Sequence, residues 1–324
     1  MKKFLKHIAY GFFFFVLINL LIVLKYEYPA YKAIKEKTHK NYLKWNNIYE
    51  NKNTYDLIIL GSSRSYTGFN PKVIDSVLKL KSFNMGTSAQ DIAESYHSLV
   101  EILNHQNPKY IVLETYLDLS DDRHDYYQIF SNASFFKSSS NKFELISNGY
   151  GSNGIANYFI PLMKFNNYIK QDIITLFSKA AQKAPETDWY KGYLKDTVII
   201  TKKKIAALSP VPNFDNTPFN KERFNTYFNK IKELTKSKGI KLIVLRTPYP
   251  PTRLKLDDNA DEENFYKSYF KNITDVKFYD LNHYKAEIFK YSDEDFSDHH
   301  HANLTGAKKI SLQLSDIIKT NQTN

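Results

Sequence analysis

The sequence contains no cysteine, which removes disulfides, thiolate-bound zinc and cysteine nucleophiles from the chemistry open to it. Glycine (10) and proline (11) are few for 324 residues, and with 42% hydrophobic content this excludes disorder for most of the chain. There is no internal repeat of fixed period. No segment carries a helix-turn-helix, a zinc finger or an aromatic RNA-binding signature, so nucleic acid is not an expected partner. Without cysteines, the compartment has to be read from the N-terminus.

What is abundant is aromatic: 25 Tyr and 23 Phe, enough for an aromatic core and aromatic surfaces. The length suits one large domain or two small ones. Lysine and arginine (45) exceed aspartate and glutamate (34), leaving a formal charge of +11. That balance favours an anionic partner such as a phosphate-bearing polymer or a lipid headgroup surface. The charge is spread rather than clustered, and a solvated surface is its plainer reading.

After Lys2, Lys3 and Lys6 comes an uncharged run, Ile8 to Leu24, whose one strongly polar member is Asn19. At about 1.5 Å per residue it spans roughly 25 Å, close to a bilayer's hydrocarbon core, with Tyr26 and Tyr28 placed as interfacial anchors. A cleaved signal peptide starts similarly but ends in small residues; this run meets Lys25-Tyr26-Glu27-Tyr28 instead, which favours a retained signal anchor. The basic tail then stays in the cytoplasm. The rest lies outside as the extracytoplasmic part of a single-pass inner- or plasma-membrane protein. A buried helix of a soluble protein is the alternative.

The expected organisation is a tail and transmembrane anchor over 1–28, a polar, lysine-rich stalk over 29–54, and an α/β domain over 55–324 interrupted by an insertion or cap at about 118–215. Apolar runs at 55–60, 80–84, 110–114, 240–245 and 276–281 read as buried strands. Pro71 opens a helix, Ser88 to Asp91 has the look of a capping box, and Phe224, Phe228, Ile231 and Thr235 recur at helical spacing before Gly239. A last helix runs from Ala307 to Lys319. Strands alternating with helices predict a three-layer α/β/α fold around a mainly parallel, flavodoxin-like sheet. The inserted region is expected to be mainly helical.

In such sheets ligands collect beyond the carboxyl ends of the strands. Three loops there carry chemistry: Gly61-Ser62-Ser63-Arg64-Ser65, Asn84-Met85-Gly86-Thr87, and Ser297-Asp298-His299-His300-His301-Ala302-Asn303. A serine hydroxyl needs an imidazole to take its proton and a carboxylate to orient that imidazole. Asp298 and His301 are spaced so that one loop presents both to Ser63; Ser62 is an alternative nucleophile. Three adjacent histidines invite a metal reading, but neighbouring side chains rarely close around one ion, so neither metal nor cofactor is expected. Arg64, Arg246 and Asn84 are candidate substrate contacts, the arginines through bidentate hydrogen bonds to an anionic group, with ordinary salt bridges as the alternative.

These blocks resemble those of the SGNH or GDSL-type hydrolases. Gly61-Ser62-Ser63 is similar to the nucleophile block with Ser in place of Asp, Asn84-Met85-Gly86 to the second block, and Asp298-x-x-His301 with Asn303 and Gly306-Ala307 to the last. The form resembles an extracytoplasmic acyltransferase branch that includes teichoic-acid D-alanyl transfer proteins and alginate O-acetyltransferase-like proteins. The resemblance implies Ser63, His301 and Asp298 as a triad, with the Ser63 and Gly86 N–H groups as oxyanion donors. It further implies a serine esterase or O-acyltransferase acting on a cell-envelope glycan or teichoic-type polymer, with a multi-span membrane acyl-transfer protein as partner. The family's third block, Gly-x-Asn-Asp, is lacking: the corresponding loop reads Leu113-Glu114-Thr115-Tyr116. That departure leaves a non-catalytic scaffold or glycan-binding protein as the second reading.

Overall fold

The computed structural model describes residues 1–37, 39–115, 125–176, 189–201, 204, 221–255, 258–271, 273 and 275–321. Tyr116 and much of the expected 118–215 insertion lie outside the described residues. By internal contacts the chain forms two compact units, Met1–Asn46 with Asp125–Pro185, and Asn47–His124 with Glu186–Asn324.

The first unit is helical throughout its described secondary structure. Its N-terminal helix, Lys2–Ile22, runs through a π-helical turn at Val23–Glu27 into Tyr28–Lys35. Among the described residues, Lys2–Ala33 is the one stretch long and apolar enough to cross a membrane. The polar segment expected as a stalk is also largely helical, because it is not polar all round: Trp45 is buried, donates its indole N–H to Asn132 Oδ1 at 2.7 Å and packs edge-on against Phe136. Short helices at Tyr126–Ala133, Ser139–Glu144, Tyr150–Phe159, Pro161–Lys164 and Asn166–Leu176 complete this unit.

Among the described residues, the second unit holds all seven strands: β1 (Leu57–Leu60), β2 (Ser82–Asn84), β3 (Tyr110–Glu114), β4 (Trp189–Tyr190), β5 (Tyr193–Leu194), β6 (Lys241–Arg246) and β7 (Phe278–Asp280). Five of them form one parallel sheet in the order β2-β1-β3-β6-β7, the doubly wound arrangement in which strand order reverses beside β1. Leu57, Ile59, Val112, Ile243 and Leu245, alternate residues of three neighbouring strands, share a core with Ile74 of the helix Pro71–Leu78 and with Ile310, Leu314, Ile317 and Ile318 of Leu304–Thr320. Helices Ile92–Leu103 and Lys221–Ser237 cover the other face. The continuous apolar runs follow from this double burial: every residue of β1 and β3 is buried.

Element starts differ from expectation where a side chain caps differently. Ala89 adopts a positive φ of 56°, so the chain turns at Ser88–Gln90 and the following helix waits for Asp91, whose carboxylate accepts the Glu94 N–H. The last helix begins at Leu304 because Asn303 Oδ1 accepts the N–H groups of Thr305 and Gly306. At the sheet's β2 edge, β4 and β5 form an antiparallel hairpin whose turn residues, Lys191 and Gly192, both have positive φ (47° and 79°), as a two-residue hairpin turn of this hand requires. Lys191 O accepts the Asn84 N–H at 3.0 Å, and a Cβ on Gly192 would lie 1.7 Å from Asn84 O.

Candidate active site

The chain leaves β1 through Gly61, held at φ 142°. A side chain there would meet Ser65 Oγ at 2.4 Å and Glu114 Cβ at 2.6 Å, so glycine is needed for both its conformation and its lack of Cβ. Ser62 then caps the short helix Ser63–Gly68, its Oγ accepting the Arg64 N–H. Ser63, the first residue of that helix, is partly exposed, whereas Ser62, Arg64 and Ser65 are buried.

The opposing loop is closed on itself. Phe296 and Ala302 form an isolated antiparallel bridge, and Ser297 N–H donates to His301 O at 2.9 Å. Inside this pinch Asp298 Oδ1 accepts the backbone N–H groups of His300 and His301 at 2.9 and 2.8 Å. Its Oδ2 lies 2.7 Å from His301 Nδ1. With Nδ1 protonated toward that carboxylate, Nε2 presents its lone pair to the Ser63 hydroxyl, 2.7 Å away. Below the loop, Asn303 donates to Glu294 O while capping the last helix, and Gly306 sits where a Cβ would come within 2.1 Å of Asp295 O. The residues following His301 therefore fasten the loop to a rigid helix.

Burial acts to raise the Asp298 pKa, but the His301 hydrogen bond, the charges of His301 and His300 and the His300 backbone N–H together hold it well below the usual carboxylate range. The same burial, with His301 adjacent, lowers His300 far below an ordinary histidine. His299 is lowered too, by burial and by Arg253, His301 and Arg64, against the opposing pull of Asp298. The three imidazoles contact one another edge to face, with centroids 3.8 and 4.4 Å apart.

Among the described residues, two carboxylate and histidine groups have ligand atoms close enough to share an ion: Asp298, His300 and His301, and Glu263, Asp280 and His283. In the first, both nitrogens of His301 already face hydrogen-bond partners. In the second, Glu263 is paired with Lys267 and His283, and Asp280 with Arg246. The second set is thus held in ion pairs within the protein.

The other expected site residues are engaged differently. Gly86 is buried against Ser65, where a Cβ would approach Ser65 Cβ to 2.7 Å; its N–H donates to Asn84 Oδ1 at 3.1 Å in this state. Asn84, expected to touch substrate, is fully buried, and its amide group donates to Ser65 O and Phe69 O, bracing the Ser63 helix. Arg64 turns inward as well: it donates to Thr247 O and Pro248 O and stacks 4.0 Å over the Tyr249 ring. Arg246 is buried in an ion pair with Asp280 at 3.1 Å and lies between the rings of Tyr249 and Tyr266. These three act on the protein itself because their polar groups, once buried, need protein partners. Ser62, the alternative nucleophile, donates its hydroxyl to Glu114 Oε2 at 2.7 Å and does not face an imidazole.

Glu114 was not singled out by sequence reasoning. It is an acceptor that takes the Ser62 N–H and hydroxyl together. Its one sequence signal is an acidic residue closing an otherwise apolar strand. A cavity of about 470 Å³ lined by Tyr110, Lys241 and Lys277 opens at the amino end of the sheet, opposite to this chemistry.

A protein-family model that carries no description matches residues 211–323, less than half of the chain. No curated protein shows a significant match. Among solved structures, the chain is similar to a proposed acylhydrolase from Bacteroides fragilis (11% identity, TM-score 0.38, covering 82% of this chain and 86% of that one). It is similar to a GDSL-like lipase from Bacteroides thetaiotaomicron (10%, 0.38, 82% and 88%) and to a proposed lipolytic protein of the G-D-S-L family from Desulfitobacterium hafniense (12%, 0.37, 81% and 98%). Likenesses this distant do not assign a family.

Proposed function

We propose that this chain is a serine-dependent acyl-transfer enzyme of the SGNH type, an O-acyltransferase or esterase anchored by its N-terminal helix. The observation that carries the reading is the unbroken relay from Ser63 Oγ through His301 to Asp298, both contacts 2.7 Å. His301 Nε2 takes the Ser63 proton as Oγ attacks an acyl carbonyl. The tetrahedral oxyanion faces the Ser63 and Gly86 N–H groups, the latter turning from Asn84 Oδ1; one such donor is typically worth about 3 kcal/mol in the transition state. The imidazolium, held by Asp298, then protonates the leaving group, and an acyl-serine remains. An incoming hydroxyl, from water or a sugar, surrenders its proton to the same nitrogen and releases Ser63.

Anchoring favours transfer over hydrolysis, since it holds the serine near a membrane-delivered acyl donor. A multi-span membrane protein that exports the acyl group and an extracytoplasmic glycan or teichoic-type acceptor complete this reading. The net charge of +11 suits an anionic polymer.

One observation favours a non-catalytic scaffold: Thr115, at the position where the related block would place its asparagine, is fully buried and turns its hydroxyl to Leu245 O. Exposure of the full-length protein to a fluorophosphonate probe separates the two. Labelling that disappears in Ser63→Ala and His301→Ala but persists in His299→Ala supports the triad, whereas an unlabelled wild type supports the scaffold.

A further inference from the structure

The apolar N-terminal run contains one strongly polar side chain, and within its own unit that side chain has a defined use. Asn19 Nδ2 donates back to Phe15 O at 2.9 Å, and Asn19 Oδ1 accepts the backbone N–H of Leu162 at 2.9 Å. Leu162 belongs to the first turn of the helix Pro161–Lys164, whose N–H groups have no partner within the helix. Asn19 lies five residues before Leu24, where the apolar run ends, or about 7.5 Å inside it along the helix. The hydrogen bond therefore fixes the Leu162 backbone at that depth.

Around this point the corner between Tyr150–Phe159 and Pro161–Lys164 exposes Phe159 (70%), Leu162 (40%) and Met163 (41%). Nearer the end of the run, contacts between the same segments change character. Tyr26 stacks on Phe165 at 4.9 Å, Lys164 pairs with Glu27, and Lys25 pairs with Asp172. An apolar tip beside residue 19, below a belt of tyrosine and charged pairs beside residues 25 to 27, is the ordering that a bilayer's core and interface select.

We propose that this corner is embedded in the lipid bilayer beside the N-terminal helix, with Phe159, Leu162 and Met163 in contact with acyl chains. The bound partner is the membrane lipid itself. Asn19 supplies what the embedded turn requires, because a backbone N–H at that depth has no water to satisfy it. The inference rests on the anchor reading of the N-terminal helix and adds a second membrane contact to it. It also gives that helix a structural reason to be retained, since a cleaved leader would carry Asn19 away from Leu162.

The absence of native cysteine makes the test direct. Single-cysteine variants at Val16, Phe159, Met163 and Ser140 of the full chain, each labelled with a bimane fluorophore, are reconstituted in phosphatidylcholine and phosphatidylglycerol vesicles. Some of these vesicles carry lipids spin-labelled near the top of the acyl chain, and thermal melts screen out misfolded variants. Lipid quenching at Phe159 and Met163 comparable to that at Val16, with Ser140 unaffected, supports the proposal. Quenching at Val16 alone puts the corner in water or against another protein copy and overturns it. No quenching at Val16 overturns the anchor reading beneath it.

Discussion

Ser62 gives both its backbone N–H and its hydroxyl to a single oxygen of Glu114, at 2.9 and 2.7 Å. The turn that presents Ser63 is thereby tied to the end of the neighbouring strand. Glu114→Ala leaves two buried donors without an acceptor, a cost of about 1–3 kcal/mol for each group left unsatisfied. The expected result is a lowered melting temperature and slower fluorophosphonate labelling. Glu114→Gln retains an acceptor oxygen and should recover most of both; equal damage from the two variants would show that shape, not the acceptor, matters here.

Asp298→Asn tests the relay without emptying the site. An amide donates as well as accepts and favours the wrong imidazole tautomer, so catalytic turnover of an activated ester should drop about 10³- to 10⁴-fold while the thermal melt changes little. His299→Ala, by contrast, should stay close to wild-type rate. A mild effect of Asp298→Asn on turnover would remove Asp298 from the proposed chemistry.

Stability should fall as the medium is acidified through the ordinary histidine range. His300 and His299 both have folded-state pKa values lowered by burial, so the unfolded chain binds more protons below about pH 6.5 and is favoured there. Their contribution is present above that range and is lost as pH drops below it. Asp298, also lowered, adds a second loss only at more acidic pH, below the usual carboxylate value. Melting temperatures between pH 5 and 8 should show a shallower slope for His300→Gln than for wild type; parallel curves would contradict the assignment.

Arg246 and Asp280 form a buried pair at the carboxyl end of the sheet. Arg246→Ala strands a carboxylate and should cost about 3 kcal/mol in urea unfolding. The double variant Arg246→Met with Asp280→Leu should lose less than the sum of the single changes, because no lone charge is left behind.

The sheet was legible because its central strands β1 and β3 are short apolar runs buried on both faces, and YIVLE became β3 at the boundaries expected. The residues brought together at Ser63 lie up to 238 positions apart, yet each sits in a short block behind a strand or before the last helix. Arg64 and Asn84 turn away from the position expected of a substrate contact, and Arg246 takes the ion pair that was its alternative, for one physical reason. A polar residue after a strand looks the same in sequence whether it faces solvent or inward, and only the fold supplies Tyr249, Asp280 and the Phe69 carbonyl that turn them inward. Glu114 was hidden likewise, since only the fold brings the Ser62 N–H and hydroxyl to its carboxylate.

The Lys191–Gly192 turn has a consequence for how the folded chain meets its own copies. β2 is the outermost strand on its side, and a bare strand edge is a template on which another chain can add. The turn occupies the Asn84 N–H and presses within contact of its carbonyl, so the edge is blunted where it would begin to recruit a neighbour. Any side chain at position 192 would push the hairpin off and reopen that edge, making self-association, before loss of fold, the first symptom of Gly192→Val.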